Sequence, residues 1–532
     1  MAGNTCSVDS DPGPGLAGAS ETENGGSTSS WLKILVIGWV VATTLFHLVS
    51  AGLGHSIYRD IHLGTALEYA KGPVDILRPI IVGFNLNGAP TPQELPVWQA
   101  LAGLTFKLLG TWFGWANVVS LVLFFSCLYP LFKLSARFIA PKYAWWTLLL
   151  FVAQPLIVIY SGMASPDGFS LSAAIWFLFF ATQISERQSV LNVTLAGLTG
   201  ALAAVLKLPF FMAAGLACFF MMVDAHRRNK AAWIGFAVAG IFACVSFLIW
   251  TKFENRLYAQ AELPFVDLRL SEGGTMKWWY FGDLKYRLNP MVWGKGGWRI
   301  LNALFGSFAL VALFLLGLRS RLWHPQTKLA LWWLLGGTVT TFVFFHIVLH
   351  HTHYYLMFVP AVAMVSAPVA AYLERAIRNI AGTRSWFASA IIALALALST
   401  LQGMFGRHTI LYFDRYAPAM ANLIKEHTTS SEKLVMQGGG WGGQLFFLSG
   451  RQGLTVWESK LLEDPATYSH LKSLGYTKLV MVSESPLLRA VQHFTSTSPT
   501  VDRISYRQYV SPIVKTLPTV LETDDILIKQ LP

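Results

Sequence analysis

Hydrophobic residues in this chain form long, nearly unbroken blocks, whereas a soluble core would show them at helical or strand spacing. Most blocks approach the ~20 residues that an α-helix needs to cross a bilayer. The pattern predicts eleven membrane-spanning helices, at about residues 31–53, 117–133, 143–163, 168–184, 191–206, 209–223, 231–250, 300–318, 329–349, 354–373 and 386–405. A shorter apolar stretch at residues 96–110 predicts an interfacial or re-entrant helix.

Composition supports a polytopic membrane protein. Of 532 residues, 54% are hydrophobic and 13% are charged, and the charged share of soluble domains is about twice as high. The net charge of +12 does not indicate nucleic-acid binding, because the basic residues lie in short loops between apolar blocks. The four cysteines show neither a disulfide framework nor a CxxC metal pattern.

The distribution of basic residues predicts the orientation. The short loops on one side of the predicted helices hold 13 Lys and Arg in 47 residues, whereas loops 54–98 and 251–298 hold 10 in 93. Basic short loops are typical of the cytoplasmic side. We therefore expect a cytoplasmic N-terminus, two long external loops and an external C-terminal tail. The expected location is the cell membrane, which in a bacterium with two membranes is the inner membrane.

Three parts of the chain are expected. Residues 1–30 are rich in Gly, Ser, Asp and Glu and predict a disordered cytoplasmic tail, and residues 31–405 predict an all-α membrane domain. Residues 406–532 predict a small extracytoplasmic α/β domain. Its expected elements are strand 433–436, helix 465–474, strand 478–482, helix 487–494 and strand 525–529.

A glycine-rich run at residues 438–443 follows the first of these strands and has the GxGxxG spacing of a dinucleotide-binding loop. Glu458 stands where such a site places an acidic residue. However, Ser449-Gly450 interrupts the helix that should follow, and an external domain has no obvious supply of nicotinamide cofactor. The run therefore favours a glycine-rich turn, and no cofactor is expected.

Several ionisable residues stand at the predicted external ends of helices, where they can converge in one cavity. They are Asp60, Asp167, Lys207, His350, His351 and His353. Ionisable groups at membrane depth usually face a cavity or a partner. A carboxylate that accepts a proton, together with cationic groups that stabilise a departing phosphate, suits the transfer of a group from a phosphate donor.

Each of these residues also has a structural interpretation. Asp60 can pair with Arg59 in a solvated loop, Asp167 suits the N-terminus of a helix, and Lys207 can extend to the interface. The histidine run has metal-ligand residue types, but its spacing supplies no supporting ligands. No metal is therefore expected, and interfacial or phosphate contact is favoured for the histidines.

Short strings spread in order over residues 31–405 carry a family resemblance. They are IYRD (57–60), ALEYAKG (66–72), ELP (94–96), LLG (108–110), SPD (165–167), VLKLP (205–209) and HYYL (353–356) followed by Pro360. Together they resemble GT-C type glycosyltransferases that use polyprenyl-phosphate sugars, above all the ArnT-like and protein O-mannosyltransferase-like branch.

The resemblance implies transfer of a sugar from a polyprenyl-phosphate donor to a lipid, glycan or protein acceptor on the external face. It implies Asp60 as the base, Asp167 as a group that positions the acceptor or the base, and Lys207 and the histidines as donor-phosphate contacts. Arg59 and Tyr354 belong to the matched strings and are further candidates for substrate binding. Where the family has Pro-Pro at the loop end, this chain has Gln93-Glu94-Leu95-Pro96, which makes Glu94 a candidate too.

Two other functions fit a polytopic, basic-inside protein. A lipid-linked glycan flippase or transporter should show repeated halves and polar groups near the midplane. The sequence has neither feature. A polysaccharide polymerase or ligase shares the donor chemistry and stays a closer alternative.

The second long loop, 251–298, is expected to be partly ordered over the cavity, with simple interfacial anchoring as the alternative. Its aromatic residues are Trp278, Trp279, Tyr280, Tyr286, Trp293 and Trp298.

Overall fold

We describe the protein from a computed structural model. The described residues are 26–51, 57–83, 89–91, 94–225, 229–260, 275–321, 328–381, 385–404, 415–438, 444–456, 462–483, 505–508 and 510–532. The backbone at residues 57–60 is helical, but the side chains there, including those of Arg59 and Asp60, lie outside the described part.

Helices dominate the described chain up to residue 404. They are α1 (Gly26–Val49), α2 (Ile57–Lys71), α3 (Val97–Leu109), α4 (Gly114–Phe125), α5 (Leu128–Phe138), α6 (Ala144–Val152), α7 (Pro155–Tyr160), α8 (Asp167–Ile184), α9 (Val190–Ala225), α10 (Lys230–Tyr258), α11 (Thr275–Phe281), α12 (Leu284–Leu288), α13 (Pro290–Ile300), α14 (Phe308–Arg321), α15 (Lys328–Val343), α16 (Phe345–His350), α17 (Val359–Ala381) and α18 (Ser385–Met404). A π-helical turn (Leu301–Phe305) and 3₁₀ segments at Pro141–Tyr143 and Thr352–Phe358 connect some of them. The first helix begins at Gly26, before the predicted start at residue 31.

Six helical stretches in the described residues are long and apolar enough to span a membrane: Ser30–Val49, Gly114–Phe138, Asp167–Ile184, Val190–Asp224, Lys230–Tyr258 and Thr352–Ile380. A seventh is the pair Pro290–Phe305 and Phe308–Arg319, which is bent by 93°. The predicted number of eleven is not confirmed. Some of the predicted blocks fold into broken or shorter helices, such as Lys328–Val343, and are too short by themselves to count as spans.

The spanning helices differ in how far the protein itself covers them. Within an apolar stretch of 18 residues, 78% of the residues in Thr352–Ile380 and 72% of those in Asp167–Ile184 are buried inside the protein, against 17% in Lys230–Tyr258. Helices α8 and α17 therefore form the centre of the bundle, whereas α10 presents most of its apolar surface outward. A hydrophobic helix with such a large exposed apolar surface is suited to contact with lipid.

Helix α9 is a hairpin of two helices that reverses at Lys207. Val193 and Phe219 both pack beside the start of α10, since Val193 adjoins Gly235 and the Phe219 and Trp233 rings are 5.9 Å apart. In a straight helix, residues 193 and 219 would be about 39 Å apart at 1.5 Å per residue. The reversal occurs where Lys207 leaves helical geometry, at φ −156° and ψ 95°. Residues 191–206 and 209–223 are thus two antiparallel helices, as the sequence predicts.

Helices α2 and α3 form a closely packed pair in the first long loop. A side-chain carbon at Gly103 of α3 would lie 2.6 Å from the Cβ atom of Tyr69 and 2.8 Å from the backbone oxygen of Ala66, both in α2. Only glycine permits this approach. The apolar stretch at 96–110 is therefore a helix packed on the loop's other helix.

A five-stranded sheet forms the C-terminal part. Its strands are β1 (Lys433–Gly438), β2 (Gln452–Val456), β3 (Tyr476–Val482), β4 (Thr519–Glu522) and β5 (Ile526–Gln530), in the order β2-β1-β3-β5-β4. Strand β1 pairs in parallel with β2 and β3, while β5 pairs antiparallel with β3 and β4. The helices are α19 (Tyr416–His427), α20 (Gln444–Ser449), α21 (Pro465–Ser473) and α22 (Pro512–Thr516).

The three predicted strands, which are β1, β3 and β5, and the helix α21 lie within two residues of their predicted bounds, whereas β2 and β4 were not predicted. Three further expectations, the helix at 487–494, the glycine run beyond Gly438 and Glu458, lie outside the described residues. The helix after the run, α20, has six residues. It is short, as expected for a turn rather than for a dinucleotide-binding loop.

Candidate active site

The turn at Lys207 is tied to the first long loop through its backbone. Pro209 has no N–H and cannot donate to the carbonyl of Val205, four residues earlier. The N–H of Leu95 donates to that oxygen instead, at 3.3 Å. This bond places Glu94, the neighbour of Leu95, beside Lys207, the residue at the turn.

Glu94 is a buried carboxylate held by three side chains. Its Oε2 atom is 3.4 Å from Lys207 Nζ, and its Oε1 atom is 3.0 Å from His62 Nδ1. The Gln99 amide donates to Oε1 at 3.1 Å. Burial raises the pKa of Glu94, but the charges of His62 and Lys207 and these hydrogen bonds outweigh it and lower the pKa to about 2. The side chain is therefore an ionised, fully engaged carboxylate at neutral pH.

Asp167 opens α8 at the end of an irregular segment that other helices hold in place. The Asn117 amide of α4 donates to the Gly162 carbonyl at 2.6 Å. The Ser165 hydroxyl donates to Asp167 Oδ2 at 2.9 Å. Asp167 is 3% exposed, so its carboxylate faces the interior of the protein.

Lys207 and His353 lie on either side of the Asp167 carboxylate. Lys207 Nζ is 4.0 Å and His353 Nε2 is 3.8 Å from Asp167 Oδ1. That oxygen is buried and accepts no hydrogen bond from the described residues. Both distances exceed the 2.7–2.9 Å of a close charge-assisted hydrogen bond. Both side chains are thus near the carboxylate without being in close contact with it.

The histidine run continues from this cluster as a row of aromatic contacts. Ring centroids are 5.3 Å apart for His351 and His353 and 5.0 Å apart for His350 and His351. Trp279 of α11 packs on His350 and His351, at 5.0 and 5.6 Å. The described part of the second long loop therefore lies against the histidines. Residues 261–274 of that loop are outside the described part.

The predicted site residues fall into three groups. Glu94, Asp167, Lys207 and His353 meet in one buried cluster, although they come from four separate segments. Tyr354 adjoins this cluster through His353, at a ring distance of 4.3 Å, and His350 and His351 extend the row away from it. The side chains of Arg59 and Asp60 are outside the described part, and the structure does not test their predicted roles.

Two residues of the site were not predicted from the sequence: His62 and Gln99. Both are almost completely buried, at 1% and 4% exposure, and both contact Glu94. Gln99 is a polar side chain in the largely apolar helix α3, whereas His62 stands among other polar residues of α2, so neither is distinctive in the sequence without knowledge of the partner. Tyr280 and Glu254, also not singled out as site residues, lie within electrostatic range of Lys207.

A small cavity adjoins Glu94. Its lining includes His62, Thr65, Pro79, Ile81 and Gln99. Two buried polar atoms, His62 Nε2 and Gln99 Oε1, have no hydrogen-bond partner among the described residues. Within those residues, no group of three or more His, Cys, Asp or Glu side chains is arranged to hold a metal ion.

Comparison with solved structures identifies the fold. The chain is similar to ArnT from Cupriavidus metallidurans bound to undecaprenyl phosphate, with a TM-score of 0.60 and 12% identity over 95% of this chain and 98% of that one. It is also similar to the archaeal oligosaccharyltransferase AglB from Archaeoglobus fulgidus in complex with an inhibitory peptide and a dolichol-phosphate, with a TM-score of 0.52 and 12% identity over 85% and 69%. No family model and no curated protein sequence matches the chain.

At these identities the comparison establishes the fold alone. The protein has the fold of these two solved structures, with a small C-terminal sheet, and this is the GT-C fold that the resemblance in sequence implied.

Proposed function

We propose that the protein is an integral-membrane glycosyltransferase that moves a sugar from a polyprenyl-phosphate donor to a lipid, glycan or protein acceptor. The observation that carries this proposal is the buried cluster of Glu94, Asp167, Lys207 and His353, inside a GT-C fold. Buried ionisable groups in a membrane protein mark functional sites. The two neighbours described above, one bound to undecaprenyl phosphate and one to dolichol-phosphate, support a lipid-linked phosphate as the donor.

In the proposed reaction, an acceptor hydroxyl oxygen bonds to the anomeric carbon of the sugar. The bond from that carbon to the phosphate oxygen breaks, and its electron pair leaves with polyprenyl phosphate. The acceptor proton passes to a carboxylate. We assign that role to Asp60, which lies in the first turn of α2. Glu94, with its pKa near 2 and all three partners engaged, is too weak a base.

Asp167 is assigned to positioning the acceptor or the base, and Lys207 to the donor phosphate. The ammonium of Lys207 lies 3.4 and 4.0 Å from the two carboxylates, and a charge-assisted contact from such a group to a phosphate is among the stronger polar interactions. His353, Tyr354, His351 and His350 extend from the same cluster, and with Arg59 they are assigned to donor contacts. These residues would stabilise the charge that builds up on the leaving phosphate.

We also propose that transfer takes place on the extracytoplasmic face, with the N-terminus in the cytoplasm. The bias of basic residues toward the short loops supports this orientation. The expected cellular location is the cell membrane, which in a bacterium with two membranes is the inner membrane.

The direct test is a transfer assay with the full chain in proteoliposomes. Polyprenyl-phosphate sugars are supplied one at a time with hydroxyl acceptors, and mass spectrometry measures released polyprenyl phosphate and glycosylated acceptor. The proposal expects both products with wild type and a strong decrease with Asp167→Asn. Asp224→Asn is the matched control, because Asp224 pairs with Lys328 at the opposite end of the same bundle. Movement of intact donor across the bilayer without either product would identify a flippase and refute the proposal.

A further inference from the structure

The first long loop and the C-terminal sheet are interlocked. Gly83 of the loop pairs with β2, which is an edge strand of the sheet. It forms a parallel bridge with Leu454, and its carbonyl accepts a hydrogen bond from Thr455 N at 2.8 Å. The backbone groups of an edge strand are available for such pairing. Here the pairing residue comes from the same chain, and it belongs to the loop that carries Glu94.

Helix α20 reaches in the opposite direction, from the sheet into the loop. Two adjacent phenylalanines occupy different cores. Phe446 packs with Leu434 under the sheet, whereas Phe447 packs among Leu63 of α2 and Trp98 of α3. Phe447 is 6% exposed, and its ring centroid is 4.5 Å from that of Phe113. The helix pair of the first loop therefore completes its core with a side chain from the C-terminal part.

The same contacts lead to the ionic cluster. The Thr65 hydroxyl of α2 donates to Ile80 O at 2.9 Å, three residues before Gly83. Pro79 and Ile81 line the cavity beside Glu94, next to its partners His62 and Gln99. Both partners stand on the helices that Phe447 touches, since His62 belongs to α2 and Gln99 to α3.

We propose that the C-terminal sheet is a positioning element of the active site, in which Phe447 and strand β2 hold α2 and α3 so that Glu94 keeps Lys207 opposite Asp167. Phe447 is thus a positioning residue that acts through α2 and α3. The effect on turnover rests on the proposed glycosyltransferase function. The effect on the loop does not, because it follows from packing alone.

The test uses the full chain in lipid nanodiscs with four variants. Phe447→Ala removes the ring from the loop core, and Phe447→Leu restores apolar volume. Gly83→Ala is an independent perturbation, because Gly83 has φ +85° and an added Cβ would lie 3.0 Å from the Phe446 ring. Val520→Ala, on the exposed strand β4 at the far edge of the sheet, is the control.

Hydrogen–deuterium exchange and steady-state transfer are measured together. With Phe447→Ala we expect faster exchange in residues 61–83 and 97–109, unchanged protection of β3, and a decrease in kcat of about tenfold or more. Small displacements of reacting groups have effects of this size. Phe447→Leu should recover most of kcat, Gly83→Ala should resemble Phe447→Ala, and Val520→Ala should equal wild type.

Three results with Phe447→Ala would overturn the proposal. The first is unchanged exchange in the loop, and the second is unchanged kcat despite faster exchange there. The third is an equally large loss of protection in β3, which would show that Phe447 contributes only to general stability. If Phe447→Ala is not folded, Gly83→Ala and Phe447→Leu decide by the same criteria. If wild type transfers no sugar, the proposed function fails. The exchange measurement then still shows whether the sheet positions the loop.

Discussion

The two ends of the membrane bundle contain the same kinds of charged residues in opposite arrangements. At the Asp224 end, Lys328 Nζ pairs with Asp224 at 2.9 Å and Arg137 with Glu186 at 2.9 Å, with side chains 25–49% exposed. At the Lys207 end, the distances from Lys207 to Glu94 and Asp167 and from His353 to Asp167 are 3.4 to 4.0 Å, and no side chain in these pairs is more than 13% exposed. The contacts of Lys207 and Asp167 are thus longer than the exposed ion pairs, whereas the buried His62–Glu94 contact, at 3.0 Å, is about as short as they are.

This difference has a physical cause. Exposed side chains adjust until the pair is close, but such pairs contribute little because water screens them. Buried side chains are held by the backbones of separate segments, and a buried oxygen without a hydrogen bond, such as Asp167 Oδ1, is costly. A loose buried cluster is therefore not explained by stability, whereas it suits a site that must accommodate a ligand.

The largest loss of transfer activity is expected for Asp60→Asn. This substitution keeps the shape of the side chain and removes the proposed base. Loss of a general base typically costs ~10² to 10⁴ in rate. Turnover should therefore decrease at least about a hundredfold, with donor binding retained, in lipid-reconstituted protein at saturating donor. Asp167→Asn should be damaging but less so, because we assign it a positioning role. Transfer near the wild-type rate in Asp60→Asn would show that the base is another group or that the acceptor is already ionised.

A smaller decrease is expected for Lys207→Ala, in donor affinity. A charge-assisted contact to phosphate contributes about 1.5 to 3 kcal/mol, which is roughly a 10- to 150-fold change in Kd. Binding of a labelled polyprenyl-phosphate sugar to purified protein measures it, with Lys328→Ala as the matched lysine at the other end.

Removing Lys207 also leaves two carboxylates without their cation. The double variant Lys207→Ala/Glu94→Gln relieves part of that repulsion. If the double variant binds donor as well as wild type, the weakness of the single variant comes from repulsion, and the assignment of Lys207 to the phosphate is wrong.

The buried cluster should also become less stable in acid. The folded-state pKa of Glu94 is lowered from 4.5 to about 2, so its contribution to stability is fully present above pH 4.5 and disappears as the pH decreases toward 2. The wild-type Tm in detergent should therefore decrease through this window more steeply than that of Glu94→Gln. Parallel Tm profiles for the two proteins would contradict the ionised, engaged state of Glu94.

The smallest effect is expected at the Asp224 end. Lys328→Ala breaks an ion pair whose side chains are 48% and 30% exposed, and such pairs contribute about 0 to 1 kcal/mol. Transfer activity and donor Kd should stay at wild-type values, with at most a small decrease in Tm. A large loss of activity in this variant would remove the distinction between the two ends.

Much of the fold was predictable because its signals are local. Apolar blocks predict helices one by one, and Lys207 followed by Pro209 predicts the break within α9. The number of spans was not predictable in the same way. Whether a block forms one straight helix or two short ones depends on its neighbours, as the bent pair Pro290–Phe305 and Phe308–Arg319 illustrates.

The site was predictable only in part, for a related reason. Asp167, Lys207 and His353 stand out as polar residues at helix ends, and Glu94 as a departure from the family pattern. His62 and Gln99 show no such signal, because they act by contacting Glu94, and no spacing rule relates residues of α2 and α3 across a loop.

The sequence by itself determined that the chain lies in a membrane, which stretches are largely helical, and which ionisable residues stand near helix ends. These properties depend on hydrophobicity and on backbone rules that act over a few neighbouring residues. Only the tertiary structure decided that Glu94 meets Lys207, 113 residues away, and that Gly83 of the first loop pairs with the edge strand β2 of the C-terminal sheet. Such contacts depend on how helices pack in three dimensions, and helical periodicity carries no information about which distant segment becomes the neighbour.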